Sequence, residues 1–263
     1  MSETAQRARG GGATVTAGVY QLLRWAGRSV VSEISRVGAI VRRRWRDHGV
    51  RGFGVALGLC LLICLAASIR LDAFGPAGSH WLTACCAERD GYPLHRWILR
   101  LPGSLIAPAP ELPVWGSLAQ ILVVVGIAEA AMGRAATVAV GLAGHFISTI
   151  AARVLLAAGS GVPGALPHID RYLLDTGPSA ATVALTAYLV VVLRCPMLGA
   201  LAGAGIAAVA SEHSGLAASE HFVAWVVGLG CGVIQLLLLR GATSRGAPRY
   251  VEVGARARSM ADL

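Results

Sequence analysis

The chain has 263 residues, of which 55% are hydrophobic and 14% are charged, and its mean hydropathy is +0.63. A soluble domain carries about a quarter charged residues, so the composition excludes an ordinary soluble protein and predicts one that lies in a membrane. The formal net charge of +9 reflects 23 basic residues, all of them Arg. They concentrate before, between and after the apolar runs, as the positive-inside rule requires, and we therefore expect no nucleic-acid partner.

The first 50 residues contain nine Arg and no long apolar run. Apolar and basic residues form an amphipathic pattern over residues 15–48, which is typical of a helix that lies on anionic lipid. We expect this segment to be cytoplasmic and to contact membrane lipids.

Six apolar runs follow, at residues 52–69, 114–132, 135–159, 179–193, 197–210 and 221–239. A transmembrane helix needs about 20 residues, so the fourth and fifth runs are short, but both are rich in Gly and Ala, which lets helices pack closely. Arg134, Arg194 and the Arg-rich C-terminal end orient both termini toward the cytoplasm. The sequence therefore predicts an all-α polytopic membrane protein, a six-transmembrane-helix bundle in a bacterial plasma membrane.

The predicted organisation is a basic segment at 1–50, a membrane domain at 51–240 and a cytoplasmic tail at 241–263. Within the membrane domain, the external loop at 70–113 is too long for a simple turn. Its stretch from His95 to Arg100 has the composition of a short helix in the outer headgroup layer. We expect this loop to be partly embedded in the membrane.

The six Cys form no disulfide or metal-binding pattern. Four of them lie in or beside apolar runs, where a free Cys behaves as a small hydrophobe: Cys60, Cys64, Cys195 and Cys231. Cys85 and Cys86 are neighbours in the external loop, and no Cys pair is spaced with His as in a zinc site. The sequence predicts no metal and no cofactor.

Ionisable residues within apolar runs are costly in lipid, and each needs an explanation. Glu129 lies near the inner end of the second run and forms either a helix-end ion pair with Arg134 or a proton site. His145 falls near the middle of the third run, with Arg153 two turns further out. These two residues belong either to a polar seam between helices or to a functional site. A small transporter or channel built around them is a third hypothesis, but the sequence has no internal repeat of the kind found in transporters.

Ser179 and His221 begin the fourth and sixth apolar runs. In the predicted topology both runs start at the outer surface, so the two residues lie at one depth although they are far apart in sequence. Because His can take the Ser hydroxyl proton before Ser attacks a carbonyl, the pair is a candidate catalytic dyad. The alternative is a first-turn Ser in a helix capped by Asp175 or Thr176, and a solvated His beside Glu220.

The fourth run begins with Gly177-Pro178-Ser179-Ala180, and in the sixth run His221 is followed by Gly228 and Gly232. The second run ends with Glu129-Ala-Ala-Met-Gly133-Arg134. In order and depth these motifs resemble the rhomboid family of intramembrane serine proteases. That family has Gly-x-Ser-Gly in the fourth span, His with spaced Gly in the sixth, and Glu-x-x-x-Gly-Arg in the second. The resemblance covers about residues 52–240 and implies a rhomboid-like bundle.

The sequence departs from this pattern where rhomboid proteases hold the oxyanion. The resemblance implies a His and an Asn near the outer end of the second span, and residues 112–120 contain neither. Ser117 and Gln120 are the side-chain donors there, and the loss of one oxyanion donor lowers the rate about 10²- to 10³-fold. In addition, Ala180 replaces the second Gly of the motif and Pro178 has no N–H.

The resemblance therefore implies a rhomboid-like protein that is non-catalytic or weakly active and binds transmembrane segments of client proteins. The alternative is an active intramembrane serine endopeptidase with a Ser179–His221 dyad. His145 and Arg153 are further candidates for oxyanion or site support in either case.

Overall fold

The structure is a computed structural model that describes residues 3–69, 86, 94–107, 113–158, 177–212 and 215–244. Asp175, Thr176, Cys85, much of the predicted external loop and most of the predicted tail lie outside the described residues. The described part of the chain is helical apart from short turns and contains no strand. The predicted all-α class is therefore confirmed.

Eight helices follow one another in the described ranges: α1 (Glu3–His48), α2 (Gly54–Ser68), α3 (Leu94–Ile106), α4 (Val114–Met132), α5 (Arg134–Ala158), α6 (Ser179–Val192), α7 (Pro196–Glu212) and α8 (Leu216–Ser244). A 3-10 turn, Gly49–Phe53, joins α1 to α2, and a π-helical stretch, Ile121–Val125, interrupts α4. Each predicted apolar run falls on a helix, and α3 contains the short helix predicted at His95 to Arg100.

Four helical stretches are long and apolar enough to cross a membrane: Leu23–Ser68, Val114–Met132, Arg134–Ala158 and Leu216–Gly241. The α6 and α7 helices are apolar but shorter, as their runs predicted. The six-span topology and the cytoplasmic position of both termini stay predictions.

The α6 helix lies at the centre of the bundle, and most of its side chains are buried. Glycines on its neighbours let their backbones come close to it. A Cβ on Gly144 of α5 would lie 2.1 Å from the Cβ of Ala184, and a Cβ on Gly199 of α7 would lie 2.5 Å from Val190 Cγ1. Small residues therefore set the spacing of the bundle, as they do where van der Waals packing drives helix association in lipid.

Glu129 connects three helix ends. Its buried carboxylate accepts hydrogen bonds from the backbone N–H groups of Val55 (2.9 Å) and Ala56 (3.2 Å), so it caps α2, which has no side-chain cap of its own. Gly133, at a φ of 82°, makes the turn that returns Arg134, whose Nε lies 3.2 Å from Glu129 Oε1. The structure thus contains the ion pair predicted here, and it adds a capping role.

The α1 helix is docked on the turn between α6 and α7. Glu33 is 4% exposed, and its carboxylate accepts hydrogen bonds from the N–H groups of Met197 (3.1 Å) and Leu198 (2.8 Å), which caps the start of α7. Arg36, on the same face of α1, donates to two carbonyl oxygens just beyond α6, at 2.9 and 3.2 Å. The basic segment is therefore held by the bundle itself.

Candidate functional site

The α6 and α8 helices run parallel and in close contact. A Cβ on Gly228 would lie 2.1 Å from the carbonyl oxygen of Ala184, and one on Gly232 would lie 3.2 Å from the carbonyl oxygen of Tyr188. The residue numbers differ by 44 in both pairs, so the helices keep a constant register along this length. The Tyr188 hydroxyl also donates a hydrogen bond to Gln235 Oε1 across the same interface.

The same register extends to the N-terminal ends of the two helices, where the predicted site residues lie. Ala180 and Ala224 belong to one buried cluster, and their numbers again differ by 44. With this offset, His221 is level with residue 177, about 3 Å along the axis from Ser179 at 1.5 Å per residue. Both side chains are half-buried. The constant register of α6 and α8 therefore brings Ser179 and His221 to one level.

The turn before Ser179 is fixed by contacts with α3. Gly177 has a φ of 121°, which favours glycine, and its N–H donates to the carbonyl oxygen of Ser104 at 2.8 Å. This carbonyl is in the last turn of α3, where no intrahelical donor is present. Pro178 is buried at the N-cap of α6, where its missing N–H breaks no helical bond. The turn thus accepts Pro178 at the variable position of the Gly-x-Ser-Gly motif.

The start of α6 also presents backbone donors. The first backbone hydrogen bond of this helix runs from the Thr182 N–H to the carbonyl oxygen of Pro178 at 3.0 Å. The N–H groups of Ser179 to Ala181 therefore have no intrahelical acceptor. Amides in this position, with the positive end of the helix dipole, favour an anion. They are backbone hydrogen-bond donors at and beside Ser179.

His145 joins α5 to α3. It is 2% exposed, and its Nε2 lies 3.0 Å from Ser104 Oγ and 3.1 Å from the carbonyl oxygen of Leu101. A carbonyl can only accept a hydrogen bond, so Nε2 carries the proton in this arrangement. Because Ser104 also holds Gly177, His145 supports the Ser179 turn through α3. These contacts favour the polar seam predicted for His145.

We expect His145→Ala to loosen α3 without unfolding the bundle. The variant loses the contacts to Ser104 and Leu101, and the loss of about 1.4 kcal/mol, typical of a buried hydrogen bond, corresponds to about tenfold faster amide exchange. Hydrogen exchange of residues 94–106, followed by mass spectrometry, measures this effect. Ile147→Ala, at a side chain that is 47% exposed on the same helix, is the matched control. Unchanged exchange in His145→Ala would contradict the supporting role.

The structure describes both side-chain donors predicted on the second span. Ser117 is half-buried and Gln120 is exposed. The π-helical stretch that follows them inserts one extra residue into the turn, which rotates the preceding helix by about 100° relative to a continuous α-helix. Ser117 and Gln120 therefore face a different direction relative to Glu129 than they would on a continuous α-helix.

Arg153 lies toward the C-terminal end of α5, about two turns beyond His145. Its three guanidinium nitrogens are buried and have no hydrogen-bond partner in the described part of the chain. One turn further, Leu156 packs with Leu216 at the start of α8. The structure thus places Arg153 near the α5–α8 interface but does not join it to Ser179 or His221.

Cys195 is the nucleophilic side chain nearest to the α6–α7 turn. Burial raises the pKa of its thiol, the neighbouring Glu33 raises it further, and Arg36 partly opposes the shift. A thiol with a raised pKa stays protonated at neutral pH and is a poor nucleophile. The structure therefore gives no support to Cys195 as a reactive site.

No family model, curated protein or solved structure matches this chain. The rhomboid resemblance therefore rests on the order of the sequence motifs. Among the described residues, no group of three or more His, Cys, Asp and Glu side chains is arranged to hold a metal ion.

Proposed function

We propose that the chain is a rhomboid-like integral membrane protein of the bacterial plasma membrane that binds transmembrane segments of client proteins. In this proposal its Ser179–His221 pair is inactive or weakly active. The supporting observation is the close, parallel packing of α6 and α8, which keeps the two residues at one level. This is the arrangement that the rhomboid motifs imply.

Weak activity follows from the donors available around Ser179. The amides at the start of α6 can stabilise an oxyanion, but Gln120 is exposed and the second span supplies neither His nor Asn. A missing donor lowers the rate about 10²- to 10³-fold. Binding of a segment would survive such a change, whereas cleavage would become slow.

Client binding draws support from the uneven packing of α7. Its cytoplasmic end is tightly packed, because Gly199 abuts Val190 of α6 and Glu33 caps its first turn. Toward its other end, Ala204, Ala207 and Ala208 are exposed, and a Cβ on Gly205 would meet nothing within 4 Å. Gly203 still packs against α8, since a Cβ there would lie 3.6 Å from Trp225 Cζ2, so the open face of α7 begins at Ala204 and is where a transmembrane segment can bind.

An active intramembrane serine endopeptidase is the alternative. Ser179 and His221 lie at one level along α6 and α8, and amide donors are close by at the start of α6. Both features favour the endopeptidase over a purely structural role for these residues. The transporter hypothesis has no comparable support, because His145 is bonded to Ser104 and Leu101.

One experiment with two readouts separates these functions. Membranes containing wild type, Ser179→Ala, His221→Ala or the control Ser219→Ala are labelled with a fluorophosphonate. A photo-crosslinker at Gly205 then reports contact with a single-span peptide of about 20 Leu and Ala residues. We expect weak or no labelling of wild type, and crosslinking that Ser179→Ala leaves unchanged.

The outcomes against the proposal are distinct. Strong labelling of wild type and Ser219→Ala that disappears in both Ser179→Ala and His221→Ala would establish the protease instead. Crosslinking from Gly205 that is no stronger than from Leu61, an exposed residue of α2, would refute client binding.

A further inference from the structure

A basic pocket lies where α1 ends, at the opposite end of the molecule from the Ser179 turn. Its volume is about 610 Å³, and it is lined by Arg44, Asp47, His48, Arg51 and Arg134. Three guanidinium groups therefore meet one carboxylate and one imidazole. This positive balance favours an anionic partner, because an anion relieves the repulsion between like charges held close together.

Hydrogen bonds hold two of the three arginines in place. Arg44 Nε donates to the carbonyl oxygen of Gly52 at 3.2 Å, and a Cβ on Gly52 would lie 3.1 Å from Arg44 Cγ. Arg134 is held by Glu129 and by the carbonyl oxygen of Arg51. Each of these bonds uses part of one guanidinium, which has five N–H donors. The remaining donors of Arg44 and Arg134 have no hydrogen bond within the described ranges.

The carboxylate of the pocket is partly engaged elsewhere. Asp47 lies 3.7 Å from Arg43 in an exposed pair one turn apart on α1. Arg51, by contrast, has no side-chain hydrogen bond within the described part of the chain. Counting Arg43 and Glu129, the ion-pair partners of Asp47 and Arg134, the four Arg and two carboxylates leave an excess of two positive charges.

We propose that this pocket binds the phosphate group of an anionic phospholipid. Planar guanidinium groups bind phosphate oxygens in a bidentate manner, and several of them around one phosphate give both affinity and orientation. The pocket adjoins the start of α2 and the turn between α4 and α5, where apolar helices end. In the predicted topology this is the headgroup level of the cytoplasmic leaflet, where anionic lipids are concentrated.

A general attraction between basic residues and an anionic membrane predicts a different pattern from a defined site. In the general case, every Arg of α1 contributes about equally, wherever it points. In a defined site, the arginines that line the pocket matter and their neighbours do not. Arg42 and Arg46 are exposed on the same helix and do not line the pocket, so they provide a matched pair of equal charge.

Native mass spectrometry of the purified full chain tests the proposal. Protein in detergent is mixed with phosphatidylglycerol or phosphatidylcholine, and the bound lipid is counted. We expect wild type to retain phosphatidylglycerol preferentially, and Arg44→Gln/Arg51→Gln to weaken that retention at least about tenfold, since each charge-assisted bond is worth more than a neutral one. Arg42→Gln/Arg46→Gln should stay within about twofold of wild type.

Three results would overturn the proposal. The first is an equal loss of phosphatidylglycerol retention in both double variants, and the second is a wild type that does not prefer phosphatidylglycerol. The third is displacement of the lipid by inorganic phosphate at equal concentration, which would indicate a site for soluble phosphate. If the Arg44→Gln/Arg51→Gln protein does not fold, Arg51→Gln alone carries the test, because its side chain makes no hydrogen bond in the described structure. Unchanged retention in Arg51→Gln, with the double variant unfolded, also counts against the pocket.

Discussion

Gly228→Ala is expected to destabilise the bundle by about 3 kcal/mol, the upper end of the usual range for overpacking. The added Cβ would lie 2.1 Å from the carbonyl oxygen of Ala184 and 2.8 Å from the Ala187 Cβ. A backbone carbonyl cannot rotate away as a side chain does, so α8 must move outward from α6. Thermal unfolding in mild detergent, followed by helical circular dichroism, measures the loss.

Gly230→Ala is the matched control for this substitution. It lies on the same helix, two residues away, and a Cβ there would meet nothing within 4 Å. We expect its stability to equal that of wild type or exceed it by up to about 1 kcal/mol, since Ala forms a helix more readily than Gly. Equal stability of the two variants would show that α6 and α8 are not in close contact. The inference that Ser179 and His221 lie at one level would then have no support.

Glu129→Ala should have an effect of similar size by a different route. The substitution leaves the N–H groups of Val55 and Ala56 without an acceptor, and an unsatisfied buried donor costs about 1–3 kcal/mol. It also removes the partner of Arg134, but that side chain is 57% exposed, so water compensates for most of the lost ion pair. We expect a loss of about 2–4 kcal/mol in the free energy of unfolding, measured as for Gly228→Ala.

Three further variants separate capping from charge. Glu129→Gln keeps one carbonyl acceptor for the α2 amides and should lie between wild type and Glu129→Ala. Asp47→Asn removes a carboxylate from an exposed ion pair and should change stability by less than about 1 kcal/mol. If Arg134→Gln were as damaging as Glu129→Ala, the ion pair rather than the cap would be the main contribution.

The helical framework was predictable because apolar runs in lipid must satisfy their own backbone groups. Each run became a helix close to its expected bounds, and the Glu129–Arg134 pair followed from two charges near a helix end. The length of α3 was not predictable, because a proline inside a helix normally ends it. Pro102 is exposed, and α3 nevertheless continues to Ile106.

The sequence did not indicate the contacts that depend on distant partners. Ser104 is an ordinary polar residue of the predicted external loop, and its contacts with His145 and Gly177 are visible only in the structure. The π-helical stretch consists of apolar residues whose pattern also suits an α-helix, so the rotation of Ser117 and Gln120 leaves no local signal. The sequence pattern does not distinguish Glu33 from the other polar residues of the amphipathic segment, although its side chain is buried against α7.

The position of Glu33 has a consequence for the order of assembly. Its acceptor atoms bind the N–H groups of Met197 and Leu198, which are synthesised more than 160 residues later. Until these amides are in place, the carboxylate has no helix end to cap and stays hydrated. We therefore expect α1 to dock only after the start of α7 is in place, since contacts of such high sequence separation form late.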